Sequence, residues 1–234
     1  MLTILTGVGR EGQVGEAVAR AFADRGDRLA LVDRNPVEVA RRAESLRAMG
    51  TAVTAHACDL TDADAVDAVV REIAQAHGTH GTSAGALVHL AGGFGADGPV
   101  GDSDHALLDR MLAINLRTAF VATRALLPLL RAGRGAIVYF ASAAVLPGAT
   151  GSGTAAYAAA KAGVLALMRA VADEERAAGV RANAVAPIAI RTGDNVRAMG
   201  ESARYVEREE VAATVRWLCS DEARAVTGQV VALG

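Results

Sequence analysis

Short apolar runs alternate with longer amphipathic stretches along the whole chain. The short runs fall at residues 2–6, 28–32, 52–57, 86–90, 136–140, 181–185 and 229–233. Their length, and the turn residues that bound them, predict strands. Between them the apolar positions recur with helical spacing. In residues 14–25, Val14, Val18 and Phe22 share one face, and Gly26 ends the run. Residues 36–49 are closed by Gly50, and residues 62–77 turn Ala65, Val66, Val69, Ile73 and Ala76 inward. Further helices are predicted at 107–130, 154–178 and 209–218, with a loop rich in Gly, Thr and Ser at 78–85. Strand and helix in alternation predict an α/β fold: a parallel sheet covered by helices on both faces, with right-handed crossovers. No solenoid-length repeat and no long linker interrupts the pattern, so residues 1–234 are expected to form one domain.

Composition agrees with a packed chain. Of 234 residues, 52% are hydrophobic and 21% charged, far from a disordered profile. Aromatics make up only 3%, so the core must be built from Ala, Val and Leu, whose small side chains let helices lie close to a sheet. The net charge of −2 and the scattered arginines give no basic stripe, which argues against nucleic acid as a partner. Two cysteines, Cys58 and Cys219, cannot make a disulfide framework or a metal cluster and read as buried thiols in a reducing compartment. The histidines at 56, 77, 80, 89 and 105 follow no metal-binding spacing, so no metal is expected. The first residues read as a strand rather than a signal peptide, and no uncharged apolar run approaches the roughly 18 residues of a membrane span. A cytoplasmic location without membrane contact is expected.

Chemistry enters at three places. The first strand runs into Thr6-Gly7-Val8-Gly9-Arg10-Glu11-Gly12-Gln13-Val14-Gly15, which opens the first helix. A glycine-rich turn there lets backbone approach a pyrophosphate, and the helix start offers it free N–H groups. Asp33 ends the second strand, where an acid can accept hydrogen bonds from an adenosine ribose and repel a 2′-phosphate. That favours NAD, while Arg34 and Arg10 are each able to pair with the 2′-phosphate of NADP. Asp33 also suits a helix cap or turn. Asp59-Leu60 follows the third strand, with Asp59 suited either to capping or to adenine contact. Finally, Tyr157 and Lys161 sit one helical turn apart and share a face. A cation beside a phenol lowers its pKa, and such a tyrosine can pass a proton to or from a carbonyl oxygen.

A set of short motifs follows in order: the Thr6-Gly7 loop, Asp59-Leu60, Ala91-Gly92-Gly93, Asn115-Leu116, Ser142, Tyr157 with Lys161, Asn183-Ala184-Val185-Ala186-Pro187 with Thr192, and Thr227-Gly228-Gln229. In this the chain resembles the short-chain dehydrogenase/reductase family over essentially its whole length. The resemblance implies a Rossmann-like sheet of seven parallel strands in the order 3-2-1-4-5-6-7. It implies reversible hydride transfer between NAD, or NADP, and a small carbonyl or alcohol substrate. Tyr157 becomes the general acid/base, and Lys161 the ribose ligand that lowers the tyrosine pKa. Ser142 holds the substrate oxygen, and Asn115 bends its helix and holds a water leading from Lys161 to solvent. The dinucleotide would meet Gly7, Arg10, Gly12, Val14, Gly15, Asp33, Arg34, Asp59, Leu60, Ala91, Gly92 and Gly93, with Pro187, Ile190 and Thr192 flanking the carboxamide. Gly92 would let the backbone pass close to the cofactor. Plainer roles stand beside these: Ser142 as a strand-end turn, Thr192 as a loop start, and Asn115 as a lone polar helix residue. Burying Asn115 unpartnered costs about 1–3 kcal/mol, so it needs a bond. The family also suggests a homotetramer or dimer, with helices 107–130 and 154–178 at an interface.

The sequence departs from the family in places. The glycine loop is longer, Leu90 stands where an Asn is usual, and Ile188 follows Pro187 in place of Gly. The Ser142–Tyr157 spacing is longer too, which makes Ser152 a second, more remote candidate hydroxyl. The segment 193–206 is short, which implies an open pocket or a lid that orders only on binding. The Ala-Gly-Gly-Phe string and the short lid also resemble dihydropteridine reductases of the same superfamily. A nicotinamide-binding sensor or scaffold, and an epimerase with tightly held NAD, remain the rival classes.

Overall fold

The structure, a computed structural model, describes residues 1–78 and 83–234. The middle of the predicted 78–85 loop, with His80, lies outside the described residues.

The chain begins with β1 (Leu2–Thr6), α1 (Val14–Asp24), β2 (Arg28–Asp33), α2 (Pro36–Ala48), β3 (Val53–Ala57), α3 (Ala63–His77) and β4 (Ala86–His89). A long helical rod follows, made of α4 (His105–Met111), a π-helical turn (Leu112–Arg117) and α5 (Thr118–Gly133). Then come β5 (Ala136–Phe140), α6 (Ala155–Glu174) and β6 (Arg181–Pro187). The chain closes with β7 (Ala189–Ile190), α7 (Gly193–Met199), β8 (Tyr205–Val206), α8 (Arg208–Leu218) and β9 (Val230–Leu233).

Local chemistry explains where these elements start. Asn35 caps α2 by accepting from the amides of Val37 and Glu38, with Pro36 just behind it in the first turn. Asp62 caps α3 through the amides of Asp64 and Ala65. Glu207 and Glu210 form a reciprocal capping box on α8. Gly26 and Gly50, at φ of 84° and 87°, turn the chain out of α1 and α2.

The main sheet is parallel and has seven strands in the order β3-β2-β1-β4-β5-β6-β9. This is the expected order, with the last strand of the chain in the seventh place. The two-residue strands β7 and β8 pair only with each other. Alternate side chains feed two cores, one on each face. Ile4, Leu87, Ile137 and Tyr139 point to the face covered by α3, α5 and α6. Leu5, Leu31, Val88 and Val138 point to the face covered by α1, α2 and α8. Small residues bring the layers close, as the composition requires. A Cβ on Gly163 of α6 would sit 2.8 Å from Leu116 Cδ2 in the π-helical turn. Tyr139, fully buried in β5, satisfies its hydroxyl on Thr123 at 2.7 Å.

Two expectations need correction. The helix expected at 107–130 is not regular, because the side-chain amide of Asn115 donates to the carbonyl of Met111 and opens the ladder into a π turn. The helix expected to reach residue 178 stops at Glu174. Beyond it the buried Glu175 carboxylate meets Arg131 at 2.6 and 2.7 Å. The segment 193–206 forms α7 and β8, and Arg191 ties it to Glu201 and Glu207. Two helical stretches, His105–Gly133 and Ala155–Glu174, are long and apolar enough to cross a membrane by length and composition, and here they pack on the sheet.

Candidate active site

The strand order changes direction between β1 and β4, and their carboxyl ends lie side by side. Ligands of open parallel sheets bind at such a crevice. Gly7, at φ of 72°, leaves β1 so close to β4 that a Cβ would lie 2.6 Å from the Ala91 amide nitrogen. Gly15 packs the start of α1 onto the loop, 2.8 Å from Val8 Cα by the same measure. The N-cap of α1, Gln13, makes no side-chain capping bond, so the loop delivers first-turn amides that no side chain of the cap occupies. Val14 is half-buried as the first residue of α1, and the Gly12 amide donates to Glu16 at 2.7 Å. A glycine cradle too tight for side chains, before an uncapped helix start, fits the pyrophosphate of a dinucleotide.

Asp33 faces this loop. Its carboxylate accepts from the amide of Gly9 at 2.9 Å and from that of Asn35 at 3.0 Å. The helix-cap alternative for Asp33 falls to Asn35. Asp59 is likewise not a cap. It accepts from the amide and hydroxyl of Thr61, whose bonds and the nearby Arg34 lower its pKa, while Asp62 caps the helix. Leu60 is buried in the core. Arg34 is exposed, and Arg10 is turned away to the ion pair with Asp194, to which Gln13 also donates at 3.1 Å. The glycine loop is thereby clasped to α7. Pro187 ends β6, Ile190 lies half-buried in β7, and Thr192 caps α7 by accepting from the Asn195 amide at 3.2 Å.

The four expected chemical residues converge one strand further on. Lys161 is almost wholly buried, and its Nζ donates to the Phe140 carbonyl at 2.7 Å, 5.9 Å from the centre of the Tyr157 ring. Desolvation lowers its pKa to about 8. Burial raises the Tyr157 pKa, and the Ser142 hydroxyl, acting as a hydrogen-bonding neighbour, pulls it back down. The expected lowering of the phenol by Lys161 is therefore not met in this geometry. The ammonium leans on the ring and is engaged with a carbonyl, and desolvation dominates. Ser142 also accepts from the Ala144 amide at 3.2 Å, so its turn role and its place beside the phenol coexist. The rival hydroxyl, Ser152, is exposed in a turn.

Asn115 is buried and bonded at both ends of its amide: it accepts from the Gly93 amide at 3.1 Å and donates to the carbonyls of Gly93 at 3.0 Å and Met111 at 3.1 Å. Gly92 also has a reason within the protein itself, beside the one expected. A Cβ there would lie 2.6 Å from Asn115 Oδ1 and 3.4 Å from Lys161 Nζ, so its missing side chain makes room for the protein's own polar pair. The Ala91 amide reaches back to Thr6 Oγ1 at 3.5 Å.

Sequence reasoning passed over His89, Arg42 and Phe94. His89 is the one polar residue of the apolar β4 and bridges Thr6 and Thr118 at 3.0 and 3.3 Å. Arg42 falls on the helical face of Val39, Ala43 and Leu46, an inward position that periodicity could have flagged. Phe94 meets the Tyr157 ring edge-on, with centroids 5.0 Å apart and planes at 69°. Its only signal was the Gly-Gly-Phe-Gly string.

Comparison with known proteins agrees with this geometry. A family model described as enoyl-(acyl carrier protein) reductase matches residues 7–233. A (5R,7aS)-5-hydroxy-7a-methyl-1-oxo-2,3,5,6,7,7a-hexahydro-1H-indene-carboxyl-CoA reductase of Mycobacterium tuberculosis is 33% identical over 232 residues, 94% of this chain and 87% of that protein. A short-chain type dehydrogenase/reductase from Mycobacterium ulcerans superposes with a TM-score of 0.89 at 30% identity, covering 99% of this chain and 87% of that one. A 3-oxoacyl-[acyl-carrier protein] reductase with bound NAD from Brucella melitensis gives 0.85 at 30% identity, covering 99% and 88%. The chain belongs to the short-chain dehydrogenase/reductase family, oxidoreductases that act on CH–OH or C=O groups with a nicotinamide dinucleotide.

Proposed function

We propose that this protein transfers hydride reversibly between NAD and a small carbonyl or alcohol substrate, with Tyr157 carrying the proton. The observation that carries the reading is the Tyr157 phenol, hydrogen-bonded to the Ser142 hydroxyl, with the buried Lys161 Nζ 5.9 Å from its ring centre.

The nicotinamide, when bound, supplies or accepts the hydride. The protein's own groups do the rest. Burial keeps the Tyr157 phenol protonated, ready to donate to a carbonyl oxygen as an acid. Ser142 donates to the same oxygen and fixes it within reach. An ammonium has three donors, and Lys161 spends one on Phe140, leaving the others for ribose hydroxyls. Asn115 keeps Gly92 and Gly93 in place over Lys161 and is suited to hold a water next to it. Gly7, Gly12, Val14 and Gly15 would cradle the pyrophosphate, Ala91 and Gly93 would border the dinucleotide, Asp59 and Leu60 would lie towards its adenine end, and Pro187, Ile190 and Thr192 would flank the carboxamide.

NAD is favoured over NADP. A 2′-phosphate would meet the Asp33 carboxylate, and of the two arginines weighed from the sequence Arg10 already serves Asp194, which leaves the exposed Arg34 to balance the charge. A homo-oligomer is proposed too, because the outer face of the α4–α5 rod leaves Leu108 and Phe120 exposed. The free buried thiols of Cys58 and Cys219 suit a cytoplasmic setting.

Tyr157→Phe tests the reading. General acid–base catalysis contributes about 10²–10⁴-fold. The variant should lose turnover by at least about 100-fold while binding NADH, followed by fluorescence, as the parent does. Undiminished turnover overturns the mechanism. A parent that binds NADH yet oxidises no alcohol and reduces no carbonyl places the chain among nicotinamide-binding sensors.

A further inference from the structure

We propose that Phe94 is a specificity-determining residue: its ring forms a fixed apolar wall beside the Tyr157 phenol and selects substrates whose reacting carbon lies in, or directly bears, a hydrocarbon ring. The inference rests on the reading of Tyr157 as the proton carrier.

Three observations carry it. First, Phe94 is 66% exposed, whereas Phe22 and Phe140 are buried in the core. Leaving such a ring in water forfeits its burial, so a covering group gains what the fold does not use. Secondly, one edge of Phe94 already rests on Tyr157, at 5.0 Å and 69°. Any substrate oxygen that reaches the phenol hydroxyl brings its carbon skeleton alongside the free part of the Phe94 ring.

Thirdly, the ring is not free to retreat. Both glycines beside it press the backbone onto the helical rod. A Cβ on Gly93 would lie 3.0 Å from Ile114 Cδ1, and one on Gly95 would lie 2.8 Å from Leu107 Cδ1 and 3.1 Å from Met111 Cε. Asn115 holds the amide and the carbonyl of Gly93 at the same time. With its backbone flush against α4 and the π turn, Phe94 projects outward over the site.

A flat or alicyclic ring stacks on such a wall at an aromatic-pair distance of about 4.5–7 Å. A short open chain covers less of it, and a polyol would have to shed water from its hydroxyls to approach it. The preferred substrates are therefore ring-bearing secondary alcohols and their ketones.

The test compares kcat/KM with NAD for a ring-bearing panel (cyclohexanol, 1-indanol, 1-phenylethanol) and an acyclic panel (2-butanol, 2-hexanol, erythritol), in the parent and in Phe94→Ala and Phe94→Leu. One added apolar contact is worth about 10–200-fold in discrimination. The parent should favour the ring panel by at least about tenfold. Phe94→Ala should erase most of that ratio, chiefly by raising KM for the ring substrates. Phe94→Leu should fall between them. As Phe94 is exposed, its loss should leave the melting temperature unchanged. A parent that turns over acyclic alcohols as well as ring-bearing ones, or a Phe94→Ala that keeps the parental ratio, overturns the inference and leaves hydride transfer standing. A parent that binds NADH but turns over neither panel overturns both.

Discussion

Asn115 grips Gly93 at both of its backbone polar groups, accepting its N–H at 3.1 Å and donating to its carbonyl at 3.0 Å. The third bond, to the Met111 carbonyl, is what the π turn leaves free. A helix distortion and a loop anchor are thus one device. Replacing Asn115 by leucine keeps the number and branching of side-chain heavy atoms and strands these backbone groups in a buried place. The expected cost is about 1–3 kcal/mol, which lowers the melting temperature by roughly 2–10 °C in a domain of this size. Turnover should fall by about tenfold or more, because Gly92 and Lys161 lose their common support. A variant that melts with the parent and retains full activity would show that the double bond to Gly93 does neither job.

His89 makes acid stability a second readout. It is fully enclosed between Thr6 and Thr118, and burial, with a smaller contribution from the charge of Lys161, lowers its pKa to about 3. Between about pH 6.5 and pH 3 the unfolded chain binds a proton here that the native state refuses. The unfolded state then holds more protons, so stability falls as pH falls through this window. His89→Gln retains hydrogen-bonding capacity without an ionisable ring. Its stability at pH 7 should be somewhat lower, but its decline from pH 6.5 towards pH 3 should be shallower than the parent's by a few kcal/mol. Denaturant midpoints for the pair at matched pH cancel the carboxylates common to both. Parallel profiles would mean that His89 is not held neutral.

The alternation of strand and helix was legible because each element of the main sheet and its helices is long enough to show its own period, while the order of the strands came from the family resemblance and not from the pattern. What escaped depended on partners distant in the chain. The π turn needs Asn115 to find Gly93, and nothing in an apolar run with one Asn reveals that bond. Asp59 and Asp62 both precede the same helix, and only their reach to specific amides decides that Asp62 caps it. The strands β7 and β8 are too short to carry a propensity signal and exist because they pair with each other. Tyr157, Lys161, Ser142 and Asn115 were all found from the sequence, but the sign of the tyrosine shift was not. Spacing predicts that a cation is near, while burial depth, which outweighs it here, is a tertiary property.

The unusual length of the glycine loop raises the question of what holds it, and Arg42 answers it from behind. This buried guanidinium donates to the carbonyls of Val8 at 3.4 Å and Arg10 at 3.5 Å, and pairs with Glu16 at 2.9 Å. Glu16 in turn accepts from the Gly12 amide, a bond that, with the fields of Arg42 and Arg208, lowers its pKa against the opposing effect of burial. Both ends of the loop are thus fixed through one ion pair reaching from α2 to α1. Arg42→Met keeps the aliphatic stem and removes every donor. The loop should then sample conformations that do not cradle a pyrophosphate, and the competent fraction scales the apparent affinity. The KM for NAD and the Kd for NADH should both rise by about tenfold, with kcat at saturating NAD within about twofold of the parent. Arg42→Lys, which keeps the charge but cannot reach all three acceptors, should recover only part of the loss. If Arg42→Met instead lowers kcat and leaves the NADH Kd untouched, the brace serves the fold or the chemistry and not the cofactor.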